Sequence, residues 1–171
     1  METKKTTIVP LGIRNNNPLN IIFSKKNNWH GQLSGQKGRF CAFTHAKWGF
    51  RAAACLLRSY INKHGRDTIR KIVGAWAPPN ENDTRNYAEF VAKHSNVGID
   101  EHLVFSDTMR MLRIMSAMCM MENGAKYDPQ TNSTLWSALY EGYIMARENK
   151  TDFASIEGAF DAQGIQNFSN D

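Results

Sequence analysis

Residues 109–121 hold an apolar side chain at every position except Arg110, Arg113 and Ser116, and this run constrains the fold more than any other stretch. On a helix those three residues form one narrow polar strip, and the rest of the circumference must be covered. The run is therefore expected to be the central buried helix. Ser106 or Asp107 can open it, and Asn123 or Gly124 can close it in the left-handed conformation, which puts Glu122 in its last turn. The negative end of the helix dipole disfavours a carboxylate there. Met118, Met120, Met121 and Tyr127 flank it and can desolvate it, raising its pKa as a general acid requires.

Periodicity places amphipathic helices around that one. The first is expected over about 47–64, capped by Thr44, with Trp48, Ala52, Leu56, Ser59 and Tyr60 along one face and Gly65 as its stop. The next starts at Asp67 or Thr68, carries Ile69, Ile72, Val73 and Trp76, and is broken by Pro78-Pro79. Asn82-Asp83 caps a third, with Tyr87, Phe90 and Val91 on its apolar stripe and an end before Gly98. The last begins near Ser133 or Thr134 and runs through Trp136, Leu139, Tyr140, Tyr143 and Ile144 towards Arg147. Short apolar runs at 20–23 and 39–43, separated by Lys, Asn, Ser and Gly, make a hairpin pattern with a long loop. Polar residues dominate from Lys150 onward, a weakly packed tail that Phe153, Ile156 and Phe160 can dock. The expected organisation is an N-terminal extension (1–11), one domain (12–149) and that tail (150–171).

A chain of 171 residues can bury one sizeable core without staples. Cys41, Cys55 and Cys119 form no CxxC pair and are odd in number, which suits reduced core thiols and synthesis in a reducing cytoplasm. Cys55 falls inside a helix and Cys119 among methionines, which argues against a cysteine nucleophile. The five histidines show no HxxxH spacing, so they are read as surface or capping residues, and neither metal nor cofactor is expected. Lys4 and Lys5 precede no apolar signal core, and no stretch approaches the roughly 20 apolar residues of a membrane span. Any role outside the cytoplasm would therefore require delivery by another system. A net charge of +5 and a pI near 9.2 favour polyanions, whether nucleic acid, anionic lipid or an anionic cell-wall polymer.

Asn15, Asn16, Asn17 and Asn20 concentrate carboxamides, whose paired donors and acceptors suit sugars and N-acetyl groups but also build turns. Trp29 can stack on a sugar face or fill the core. Residues 76–83 join two helices, where Asn82 and Asp83 serve capping, whereas Glu81 and the nearby Tyr87 exceed what capping needs.

Met118-Cys119-Met120-Met121-Glu122-Asn123-Gly124 resembles the catalytic glutamate, serine, glycine motif of soluble lytic transglycosylases and related lysozyme-like glycosidases, with Asn123 in place of serine. The segment from Asn15-Asn16-Asn17-Pro18 to Ile21, then Trp29-His30-Gly31 and Arg39-Phe40-Cys41-Ala42-Phe43, is similar to the asparagine-rich segment after the glutamate in bacterial N-acetylglucosaminidases. Trp48-Gly49-Phe50-Arg51-Ala52, Leu56-Leu57, Ala75-Trp76-Ala77-Pro78 and Tyr87 resemble the transglycosylase helices and their Ala-Tyr-Asn-Ala-Gly region. The likeness covers about 12–147, in a different order: the glutamate motif follows the segments it normally precedes, as a circular permutation would produce. The chain also resembles phage and prophage proteins that open with Gly-Ile-Arg-Asn-Asn-Asn-Pro-Gly-Asn, with Leu19 where that pattern has its second glycine.

These observations lead to a mainly α, lysozyme-like single domain in permuted order, with a small β-hairpin or irregular segment near its start. The resemblance implies cleavage of the peptidoglycan glycan strand by a lytic transglycosylase or muramidase. Glu122 is the general acid and Glu81 the preferred second carboxylate, ahead of Asp83 and Asp128. Asn16, Asn17, Asn20, Trp29, Asn82 and Tyr87 are expected to hold saccharide. The expected state is a monomer, with peptidoglycan strands, an immunity or inhibitor protein and a virion or secretion-system component as partners. It is expected to act in the periplasm or on the cell wall. The competing class is a non-catalytic virion structural or nucleic-acid-binding protein of the same shape.

Overall fold

A computed structural model of the protein describes residues 8–35, 38–76 and 80–148, apart from the side chains of Glu81 and Asn82. The described residues are mainly α-helical: α1 (Leu11–Arg14), α2 (Ala46–Lys63), α3 (Ile69–Trp76), α4 (Glu81–Ser95), α5 (Thr108–Asn123) and α6 (Ser133–Glu148). The expected tail, with Phe153, Ile156 and Phe160, lies outside the described residues, as do Lys4, Lys5, Pro78 and Pro79.

α5 is buried from Met111 to Met120 except at Arg113. The two arginines of its polar strip have defined partners, while Ser116 is buried. Arg113 donates through Nε to the carbonyl of Ser95, the last residue of α4 (3.0 Å), satisfying one of the carbonyls a helix end leaves open. Arg110 reaches Glu101 at 3.3 Å and Asp107 at 3.4 Å.

α5 shares the centre with α2, which the sequence shows as amphipathic. Every α2 residue from Gly49 to Tyr60 is buried, including Arg51 and Arg58. The charged residues at 51 and 58 hide this burial from a periodicity argument. Arg58 is explained by a long-range contact, its guanidinium donating to the carbonyl of Ala146 near the end of α6. α2 packs chiefly on α6, and α4 on α5. The α2–α6 approach is closest at Gly142, where a Cβ would sit 2.6 Å from the Lys47 carbonyl oxygen and 2.7 Å from the Arg51 nitrogen. Any side chain there would separate the two helices.

The helices are found where periodicity puts them, but several caps are not. His45, not Thr44, caps α2, its Nδ1 accepting from the Lys47 backbone at 3.0 Å. Asn80 rather than Asn82-Asp83 starts α4, accepting from the Asp83 and Thr84 amides. α6 begins at Ser133 as expected, with Asn132 capping it through the Leu135 amide at 3.1 Å. Gly124 ends α5 with φ 103 and ψ 157, a positive φ but not the left-handed helical conformation expected of it. In each case a residue able to accept or turn stands one or two places from the one chosen, and several such residues adjoin.

The expected hairpin is reduced to two isolated antiparallel bridges, Ile22 with Phe40 and Gln32 with Phe43. Phe23 donates to the Arg39 carbonyl at 2.7 Å and Cys41 to that of Ile21 at 2.9 Å, so the two apolar runs do pair. Ile21, Cys41 and Phe43 are buried on the helical core. The pairing stops short of a ladder because side-chain amides take over the backbone groups, as the site shows.

Candidate functional site

The asparagine-rich segment is held by its own carboxamides. Asn17 is completely buried: Nδ2 donates to the carbonyls of Ile21 and Cys41, both at 3.0 Å, while Oδ1 accepts from the Ile21 amide at 2.9 Å. Asn16 donates to the Phe43 carbonyl at 3.1 Å. Asn16 and Asn20 have positive φ, 50° and 53°, a conformation asparagine tolerates better than most residues. Leu19, at the glycine position of the phage-type pattern, has no positive φ and lies fully in the core. The left-handed turn falls on Asn20 instead.

This segment sits against the end of α5. Asn20 Nδ2 donates to Glu122 Oε2 at 2.9 Å, and the Tyr87 hydroxyl, from α4, donates to Glu122 Oε1 at 3.2 Å. Asn123 clamps the same junction, donating to the Pro18 carbonyl at 2.7 Å and to that of Cys119 at 2.9 Å. Trp76 of α3 donates through Nε1 to the Leu19 carbonyl at 3.2 Å, with its ring edge-on to Tyr60. Gly12 closes the junction: a Cβ there would lie 2.5 Å from Asn123 Oδ1 and 2.9 Å from Asn20 Oδ1. Asn20 and Tyr87 thus converge on one carboxyl group, at a junction that Gly12, Trp76 and Asn123 hold together.

Burial pushes the Glu122 carboxyl above its ordinary range, and the hydrogen bonds from Asn20 and Tyr87, which favour the carboxylate, oppose that rise. Met118 and Met120 are buried beside it, whereas Met121 is exposed. The Tyr87 phenol is raised well above its normal range, first by burial and then by the Glu122 charge, so it remains a donor. The two hydrogen-bond partners are not equivalent. A phenol can rotate to accept a proton's bond and a carboxamide nitrogen cannot. When the acid is neutral, its proton can be accepted at Oε1 by the rotated Tyr87 hydroxyl. At Oε2 it can be accepted by Asn20 Oδ1, a buried acceptor with no other partner among the described residues, if the carboxamide flips. Once the proton leaves, both donors stabilise the carboxylate.

Of the residues expected to hold saccharide, the structure brings Asn20 and Tyr87 onto Glu122. Asn17 and Trp29 are corrected. Asn17 is buried with its amide used by the backbone, and Trp29 is 2% exposed, so neither offers a surface to a ligand. Asn16 spends its amide on the Phe43 carbonyl. The side chains of Glu81 and Asn82 lie outside the described residues, although their backbone forms the first turn of α4. Sequence reasoning missed two contributors, the clamp by Asn123 and the tether by Trp76. For Asn123 the signal was its place beside Glu122 in the motif.

Other chemistry has less support among the described residues. All three cysteines are buried free thiols, with Cys41 and Cys119 each pushed up to about 12 by burial and Cys55 also raised. No group of three or more His, Cys, Asp or Glu among the described residues is placed to hold a metal ion. No described helix is long and apolar enough to cross a membrane.

No protein-family model matches the chain. The chain is similar to Protein P5 of Pseudoalteromonas phage PM2, 39% identical over 117 residues that span 67% of this chain and 71% of the phage protein. That identity over that length shows kinship: the chain belongs to the family of this phage protein.

Proposed function

We propose that this member of the phage Protein P5 family cleaves the glycan strand of peptidoglycan, with Glu122 as general acid. The observation that carries the reading is the convergence on Glu122: a half-buried carboxyl with a raised pKa, held by one amide and one phenol from distant parts of the chain. A positioned acid with a pKa nearer neutrality contributes typically ~10²- to 10⁴-fold to a bond-breaking step. In this reading the Glu122 carboxyl proton passes to the glycosidic oxygen as the bond breaks through an oxocarbenium-like transition state. Asn20 and Tyr87 then hold the resulting carboxylate. The sequence likeness to lysozyme-like transglycosylases supports the same chemistry in permuted order, and the phage kinship supports delivery to the wall by a virion or a related system, with an inhibitor protein as a further partner.

The hydrogen-bond partners of Glu122 are neutral, an amide and a phenol. The resemblance to transglycosylases supports a single-acid reaction, in which the muramyl 6-hydroxyl attacks and the products end in 1,6-anhydro sugars. Digesting purified sacculi and weighing the soluble muropeptides tests both claims. Anhydro ends support the reading, reducing ends with Glu81→Gln inactive make it a hydrolase, and intact sacculi reject it. A second reading, a non-catalytic virion or nucleic-acid-binding protein, draws on the phage kinship and the charge of +5. Salt-dependent DNA binding together with intact sacculi would establish it.

A further inference from the structure

A recess opens at the turn that leads into α6. It has a volume of about 420 Å³ and is lined by Pro129, Gln130, Thr131, Asn132, Ser133 and Trp136. Its lining contains one large aromatic ring, two carboxamides, two hydroxyls and no charged side chain. Of these groups Asn132 uses its Oδ1 as the α6 cap, leaving Nδ2 able to donate, and Gln130 is exposed. Thr131 donates to the Asp128 carbonyl at 3.3 Å and can still accept. Trp136 is half-buried against the core, in the first turn of α6, with its backbone amide bonded to the Asn132 carbonyl at 2.8 Å. An aromatic face with neutral donors and acceptors around it is matched to an uncharged polyhydroxyl or N-acetylated ring, and poorly matched to a phosphate or a nucleic-acid backbone.

The recess belongs to the same end of the molecule as Glu122. Pro129 follows Glu122 by seven positions, a reach of at most about 25 Å. That reach is shortened by the turn in which the Tyr127 amide bonds to the Gly124 carbonyl at 3.0 Å. Asp128 organises the rim, its Oδ1 accepting from the Gln130 amide at 2.9 Å and its carbonyl from the Thr131 amide at 3.0 Å. Asp128 and Glu122 both act electrostatically on the Cys119 thiol, so the turn and the acid border one patch of core.

We propose that this recess is a saccharide subsite, in which Trp136 stacks on an N-acetylhexosamine ring while Gln130 and Asn132 bond its hydroxyl and acetamido groups. The proposal rests on the glycan-cleaving reading of Glu122 and adds where a neighbouring sugar of the strand is held.

The test uses the full chain carrying Glu122→Gln, so that binding is read without turnover, titrated with the β-1,4-linked tetramer of N-acetylglucosamine. Binding is followed by tryptophan fluorescence and calorimetry. Trp136→Phe keeps a ring for the core and removes the larger stacking face, while Gln130→Ala alters an exposed residue without touching the fold. The expected result is a fluorescence change in the parent that is lost in Trp136→Phe, with affinity weakened about tenfold, ~1.4 kcal/mol, in each variant. Binding of the tetramer with unchanged affinity in both variants overturns the subsite and leaves the reading of Glu122 intact. If the parent binds no tetramer and the native protein leaves sacculi whole, the glycan reading falls and the subsite with it. Cleavage of sacculi whose KM is unaltered by Gln130→Ala and Trp136→Phe also overturns the subsite.

Discussion

The two ends of α5 carry acids in opposite settings. At its N-terminal end Arg110 lies between Glu101 and Asp107, at 3.3 and 3.4 Å, and Arg147 bonds Thr108 at 2.6 Å, all in contact with solvent. At its C-terminal end Glu122 is desolvated and meets an amide and a phenol, neither of them charged. Opposite charges in water fix protonation and contribute little energy. Burial raises the Glu122 carboxyl above its ordinary range, and the two neutral donors work against that rise. One helix thus separates a solvated ionic end from an end suited to proton transfer.

The strongest way to break this contrast is Glu122→Gln, which keeps the shape and the Asn20 contact but removes the transferable proton. Release of muropeptides from sacculi should fall by at least about a hundredfold with the thermal melt retained. Full activity in that variant would end the assignment.

Next in size is the clamp. Asn123→Ala leaves the buried Pro18 carbonyl without its 2.7 Å donor and should lower stability by about 1–3 kcal/mol in urea unfolding. Activity should drop further than stability alone explains, because the Asn20 turn loses its anchor to α5. A loss in stability with kcat unchanged would make the clamp purely structural.

Tyr87→Phe sharpens the contrast through pH. It removes a donor that favours the carboxylate, so the basic limb of the activity profile should move to higher pH. Folding should respond to the same group. The folded-state pKa of Glu122 is raised, so its contribution to stability is fully present below the ordinary value of 4.5 and is lost as pH rises through the raised value. Comparing urea midpoints of the parent and Glu122→Gln across that window should show the slope disappear in the variant.

The smallest effect belongs to the other end. Arg110→Ala removes two solvent-exposed ion pairs and should change stability by no more than about 1 kcal/mol, with less effect in high salt. A larger loss would mean that the α5 strip is held more tightly than solvent exposure implies.

These contrasts also mark what the sequence made legible. The apolar run at 109–121 announced α5, and Gly65, Thr68, Asn123 and Gly124 marked helix limits to within a residue or two. Glu122 at the end of α5 was legible because position along a helix decides a carboxylate's setting. What stayed hidden depended on contacts between distant residues. Nothing local in Arg51 or Arg58 says that α2 is covered on every side. The asparagines were the least readable, because one side chain serves a turn, a core or a ligand equally well: Asn17 bonds three backbone groups in the core, and Asn20, three residues later, bonds Glu122. Trp29 likewise reads as a stacking face and proves to be core.

The bond between Asn20 and Glu122 spans 102 residues, and that between Asn123 and Pro18 spans 105. Contacts so remote along the chain form only after most of the polypeptide has been ordered, because the loop between them must first be closed. A ribosome releases the Asn20 turn and Tyr87 before α5 exists, so the receptor for the carboxyl is made well ahead of the carboxyl itself. The protonation state of Glu122 is therefore a marker of completed assembly. In refolding, helical signal should return before the shifted titration of Glu122 does, and a truncated or stalled chain would hold every partner of that acid without the acid.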